Sequence, residues 1–176
     1  MLLDLVKKRR SIRKFTDEPV TNEDIKKIIE VDLHAPTAKN LNPVRYIVVR
    51  DKDRLKELSK FKKVGAHFID GASVAIAIVT DTEISPVTNH QDASIAASFI
   101  MLQVAEMGLG ATWANVTTSV NADGRAAKDV LREFFNLDNK FDVECIMAIG
   151  HPAEQKSEKI AFNYDENVFE DLDDIK

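Results

Sequence analysis

Residues 92–116 read DASIAASFIMLQVAEMGLGATWANV, and the fold turns on this stretch. From Asp92 to Met107 the chain carries Ile95, Ala96, Phe99, Ile100, Leu102 and Ala105 with little charge, which predicts a helix apolar nearly all round. Such a helix is either buried or forms a seam between subunits. Gly108 stands where a left-handed residue closes a helix, and residues 111–116 then return as a strand.

On either side of this stretch the pattern continues. Residues 73–80 run through Val74, Ala75, Ile76, Ala77, Ile78 and Val79 almost without interruption, as in a central strand buried on both faces. Residues 46–49 and 144–149 add two more strands, and Glu144 interrupts the apolar run 143–149. Helices are predicted over 4–10, over 53–61 and over 126–135. A further helix starts at a Thr21 cap, with Asp24 at its third position, and continues through Ile25, Ile28, Ile29 and Leu33 until Pro36 forbids it. Helices and strands mix in an α+β pattern, and no repeat, low-complexity tract or linker divides the chain. A single domain over residues 1–176 is therefore expected.

A length of 176 residues allows one well-buried core, and 44% hydrophobic with 30% charged residues is the balance of an ordinary globular chain. No apolar run is long enough to span a bilayer, so no membrane partner is expected. The net charge of −5 argues against nucleic acid, which calls for a dense basic face. The charge is nonetheless uneven. Residues 7–14 carry basic side chains and no acid, whereas residues 165–174 carry acids and no base, so the basic end calls for a local anion. The opening Met1-Leu2-Leu3-Asp4 meets that basic cluster with no apolar stretch between, unlike a secretory signal, and a cytoplasmic protein is expected. Cys145, the single cysteine, reads as a core residue.

Several chemistries are excluded by their motifs. Gly108-Leu109-Gly110 lacks the third glycine of a dinucleotide fingerprint and leads into a strand. There is no phosphate-binding Gly-Lys-Ser loop and no Gly-x-Ser-x-Gly turn. His34, His67, His90 and His151 are scattered without ligand spacing, so each reads as structural and no metal is expected. What remains is Arg9-Arg10-Ser11-Ile12-Arg13, whose guanidinium forks suit a phosphate and a second electron-rich group. The same residues also read as a solvated basic face. A second polar cluster, residues 35–43, is rich in amide and hydroxyl groups, and serves either a ligand or plain turn chemistry.

Taken in order, these segments become recognisable. Arg-Arg-Ser-x-Arg-x-Phe near the N-terminus, then Ala-Pro-Thr-x-x-Asn-x-Asn-Pro, resembles the opening motif pair of the nitroreductase family. The alanine-rich helix ending in Gly108-Leu109-Gly110-Ala111-Thr112-Trp113 is similar to that family's central helix and following strand. Gly150-His151-Pro152-Ala153-Glu154 with Lys159 resembles its closing motif.

The resemblance implies a central, mostly antiparallel sheet flanked by helices, in an intertwined homodimer with one FMN in each of two interface pockets. It sets Arg9, Ser11 and Lys159 around the FMN phosphate, counts Arg10 among the FMN-binding residues, and sets Arg13 beside the pyrimidine edge, where a cation favours the reduced ring. Pro36, Thr37 and Asn40 would come from the neighbouring subunit. Trp113, Ala114 and Asn115 would pass backbone over the flavin, although a Trp there equally reads as core filling. Residues 160–176 would pack on the partner, burying Phe162, Tyr164 and Phe169. The implied activity is transfer of reducing equivalents from NADH or NADPH to a small electrophilic acceptor, a nitroaromatic or a quinone, in two half-reactions with no side-chain acid. A flavin store or redox sensor with little turnover is the alternative. Asn42 and Val44 depart from the family pattern, which has Gln and an aromatic residue there, and Lys62, Lys63 and His67 are equal candidates for a further flavin contact. Only residues 81–91 separate the central strand from the long helix, so an open pocket is expected.

Overall fold

A computed structural model describes residues 1–169. The elements follow in the order α1 (Leu2–Lys8), α2 (Asn22–Asp32), β1 (Val44–Val49), α3 (Lys52–Leu58), β2 (Val74–Asp81), α4 (Asn89–Glu106), β3 (Gly110–Asn115), α5 (Ala127–Phe135), β4 (Phe141–Gly150) and a short α6 (Tyr164–Asn167). The strands form one sheet in the order β1-β2-β4-β3, and every neighbouring pair is antiparallel. This is the α+β architecture expected from the sequence. Among the described residues no helix is long and apolar enough to cross a membrane.

β2 is buried at every position. Its side chains alternate, as a pleated strand requires. Val74, Ile76 and Ile78 face α2 and α4, where Ile28, Ala97, Ile100, Cys145 and Met147 pack with them. Ala75, Ala77 and Val79 face the opposite layer, with Leu55 and Leu58 of α3 and Leu131 of α5. α4 is therefore covered on one side by the sheet. Its other side leaves Ile95, Phe99 and Leu102 only half-buried, at the spacing of a helical ridge. Beside it, α1 holds Leu2, Leu3 and Val6 exposed.

Two boundaries differ from the sequence reading in ways that matter for the site. α4 begins at Asn89, ahead of the predicted start at Asp92, so His90 also lies on the helix. β4 begins at Phe141, and its pairing with β2 jumps from Ile78↔Cys145 to Val79↔Val143, leaving Glu144 as the extra residue of a bulge.

The basic segment is held against the end of the sheet by two glycines. Gly110 and Gly150 pair across β3 and β4. A Cβ on Gly110 would lie 2.8 Å from Ile12, and one on Gly150 would lie 2.9 Å from Phe15. The absent side chains let residues 11–15 close over the sheet, with bridges from Ser11 to Ala111 and from Phe15 to Pro152. Gly110→Ala is accordingly expected to cost about 1–3 kcal/mol by overpacking, seen as a lower urea midpoint. An unchanged midpoint would show that Ile12 yields freely.

Candidate functional site

β3 is a sheet edge, and its free side organises the site. Ile12 N–H donates to the Ala111 carbonyl at 3.0 Å, which fixes the side of β3 facing away from β4. By the alternation of an antiparallel ladder, Trp113 and Asn115 turn their backbone N–H and C=O groups to that same side. Ala114 is buried in the core, and Trp113 is partly buried against the α4 layer. The Trp113 ring packs against the α4-side core, and its backbone lies on the outer edge of β3.

At one end of this edge the basic residues gather. Lys8, Arg9, Arg10 and Lys156 line a cavity of about 250 Å³ together with Ile12, Met101 and other apolar groups. Arg9 caps the C-terminus of α1 through its N–H to the Leu5 carbonyl. Cations suit that end of a helix, so the cluster forms without a carboxylate for each charge. Arg10 donates to the Ser157 carbonyl, and Lys156 donates to the Ser11 carbonyl at 2.7 Å. Glu154 accepts from the Arg13 N–H at 2.6 Å and lies 3.3 Å from the Lys156 ammonium. These contacts, the backbone bond first, hold its carboxyl below the usual value. Arg13 itself lies exposed, its guanidinium 5.9 Å from the Phe68 ring. Lys159 bonds through its backbone to Lys7, and its ammonium lies over Phe162. Lys156, which the sequence reading did not single out, joins Lys8 at the cationic cavity.

At the other end of the edge stands Lys62. Its ammonium donates to the Asn115 carbonyl at 2.9 Å, and partial burial lowers its pKa. Of the three equal candidates, Lys62 reaches β3, whereas Lys63 uses its N–H on the Val120 carbonyl and His67 is exposed.

The Pro36, Thr37 and Asn40 loop lies elsewhere. Asp92 anchors it by accepting from the Ala38 N–H at 2.9 Å, while Ser85 and Thr88 bond the other carboxylate oxygen. Lys39, Asn40 and Asn42 have φ of 52°, 57° and 51°, a left-handed run that asparagine tolerates and lysine does not favour. Thr37 and Asn42 brace it with reciprocal bonds. Below it, burial pushes the Asp32 carboxyl up, and Tyr46 donates to it. This loop meets α4 near Asp92, whereas the cationic cavity meets α4 at Met101 and Ala105. At 1.5 Å per helical residue, roughly 14–20 Å separates the two anchor points within one chain.

The family model described as Nitroreductase family matches residues 6–64 and 54–151. An Archaeoglobus fulgidus protein, whose name pairs NADH dehydrogenase with NAD(P)H nitroreductase, is 31% identical over 157 residues, 88% of this chain and 87% of its own. An FMN-dependent nitroreductase structure from Clostridium difficile R20291 is 39% identical with a TM-score of 0.91, covering 97% of this chain and 99% of that one. A Desulfovibrio desulfuricans structure, described as a nitroreductase in complex with FMN, is 28% identical with a TM-score of 0.80, covering 97% of this chain and 96% of that one.

Two outcomes follow from the anchors. Asp92→Ala removes a charged acceptor from a partly buried N–H, so a loss of about 1.5–3 kcal/mol is expected in urea unfolding, with faster amide exchange at Ala38. Glu154 has a depressed carboxyl pKa, so its contribution is present above the usual carboxylate value and fades as pH falls through the lowered one. Acid titration followed by NMR should move the Arg13 and Lys14 amides together, and in Glu154→Gln they should no longer respond.

Proposed function

This chain belongs to the nitroreductase family, and from that premise we propose an FMN-dependent NAD(P)H oxidoreductase that works as a homodimer on nitroaromatic or quinone acceptors. The observation that carries the reading is the free edge of β3, with four cationic side chains at one end and Lys62 at the other. When bound, FMN supplies a ring that accepts hydride equivalents and passes them on. The protein's residues do the rest. Arg9, Arg10, Ser11 and Lys156 would hold the phosphate, with Lys159 nearby, and Arg13 would lie at the pyrimidine edge. The outward N–H groups of Trp113 and Asn115 would donate along the central ring, and Lys62 would keep the Asn115 carbonyl occupied.

A second copy completes this site. The roughly 14–20 Å along α4 between the cationic cavity and loop 36–42 argues that one chain does not bring Arg9 and Asn40 to a single ligand. A two-fold axis across the ridge of Ile95, Phe99 and Leu102 would set one subunit's loop against the other's β3 edge. Exposed Leu2, Leu3, Ile160, Phe162 and Tyr164 give that contact apolar area, and Phe169 adds half-exposed surface. Of the predicted tail, residues 170–176, including Leu172, lie outside the described residues. The edge is open, so NAD(P)H and the acceptor would use it in turn, a two-step exchange without a ternary complex. A protein in the cytoplasm, where NAD(P)H is supplied, fits the reading.

Mixed dimers test the shared site. Arg9→Ala and Asn40→Ala homodimers should each lose FMN, whereas a dimer with one subunit of each kind should regain one FMN per dimer. Recovery of none would place Arg9 and Asn40 in the same subunit's site. Flavin absorbance that bleaches anaerobically with NADH or NADPH supports the oxidoreductase, and bound flavin that stays oxidised makes the protein a flavin store or sensor.

A further inference from the structure

Glu154 lines the wall of the cationic cavity with its side chain 20% exposed, and one of its oxygens gathers three donors. Oε1 accepts from the Arg13 N–H at 2.6 Å and from the Lys14 N–H at 3.3 Å, and the Lys156 ammonium lies 3.3 Å away. Lys156 also donates to the Ser11 carbonyl at 2.7 Å. The pair therefore bridges both ends of segment 11–14. Its lysine balances the carboxylate, so with Lys8, Arg9 and Arg10 the cavity remains net cationic.

Elsewhere the segment is held by other elements. Ile12 donates its N–H to the Ala111 carbonyl at 3.0 Å and accepts from the Thr112 hydroxyl, while the Lys14 carbonyl accepts from the Ala153 N–H at 2.9 Å. Arg13 is the exception. Among the described residues its backbone has one hydrogen bond, and Glu154 supplies it. Its guanidinium is exposed and lies 5.9 Å from the ring of Phe68, which itself packs on the core. A cation over an exposed ring is weakly held. Two points thus aim this side chain, the anchored N–H at its root and the Phe68 ring beside its tip.

From this arrangement we propose that Glu154 is a positioning residue: it fixes the root of Arg13 so that the guanidinium stands at the pyrimidine edge of the flavin and keeps the bound cofactor easier to reduce. The inference rests on the FMN reading above. A cation at that edge favours the reduced ring. Glu154 carries the opposite charge, so a direct effect and an effect through Arg13 differ in sign. A carboxylate acting through its own field disfavours the reduced ring, and losing it would raise the midpoint potential. A carboxylate acting through Arg13 does the reverse: without the anchor the guanidinium leaves the pyrimidine edge, and the potential falls.

Two substitutions separate reach from charge. Glu154→Asp keeps the charge and withdraws the oxygen by one methylene, whereas Glu154→Gln keeps an acceptor oxygen and removes the charge. In dye-coupled dithionite titrations of the FMN-saturated protein, Glu154→Asp should move the midpoint potential to more negative values. Glu154→Gln should leave it at or above that of the unsubstituted protein. Arg13→Ala should lower it at least as far as Glu154→Asp, and the two together should go no lower than Arg13→Ala alone. A potential that fails to fall in Glu154→Asp, falls in Glu154→Gln, or falls further in the double variant overturns the positioning role. In the FMN-free protein, Glu154→Asp should speed Arg13 amide exchange about ten-fold or more while the Ile12 amide keeps its rate. An unchanged Arg13 amide overturns the anchor. Bound flavin that dithionite reduces and neither NADH nor NADPH reduces overturns the oxidoreductase reading alone, and the potentials still decide Glu154. A chain that binds no FMN overturns both.

Discussion

A helix that is apolar on every side cannot be satisfied by a single sheet. α4 buries Ala93, Ala96, Ala97, Ile100 and Val104 against β2 and β4, and this contact sets the level of the whole α2–α4 layer. The opposite ridge remains short of partners in one chain. Burying apolar area is worth roughly 25 cal/mol per Å², so the ridge is a standing drive toward association. The placement of everything else follows from where α4 ends and begins. Its C-terminal half walls the cationic cavity, and its first turns hold Asp92 against loop 36–42 and His90 against Glu144. One rigid rod therefore spaces the cationic cavity, loop 36–42 and the His90–Glu144 pair.

The framework was legible because it obeys simple periods. The unbroken run from Val74 to Val79 could only be a doubly covered strand, and the Thr21–Asp24 pair forms the reciprocal cap that its spacing implies. Gly108, at φ 73°, closes α4 where a glycine stop was expected. Even the sheet's antiparallel pairing agreed with the family motifs. Such features are local, or repeat along the chain, so each residue's neighbours in sequence carry enough information.

The site was legible only in part, because its contacts join residues far apart in sequence. Lys156 and Lys159 look alike in the string, and only the return of the chain over Ser11 brings one of them to the cavity. Lys62, Lys63 and His67 could not be ranked, since the choice depends on where the turn after α3 meets the end of β3. Asp92 marked only the start of the predicted helix, and nothing in the string ties it to the Ala38 N–H. His90 read as structural for want of ligand spacing, and the informative residue was its partner. Glu144, a charge inside an apolar strand, was the visible anomaly, and a bulge is difficult to foresee from alternation because it breaks the very pattern used to find the strand.

The strain in loop 36–42 bears on how the two halves of the proposed site would cooperate. Lys39, Asn40 and Asn42 all hold left-handed backbone, and each such residue that is not glycine costs about 1–3 kcal/mol. Nothing within the loop offsets this fully, since Thr37 and Asn42 bond each other in exposed positions. Part of the offset comes from α4, through the Asp92 carboxylate on the Ala38 N–H. A loop held in a strained shape by a buried charge is already ordered before any ligand arrives. It follows that such a loop loses little further entropy when a ligand meets it, the condition under which a second subunit's contribution strengthens binding rather than taxing it. The same helix turn carries His90 on its other side, so ordering at Asp92 and ordering at Glu144 are set by one element.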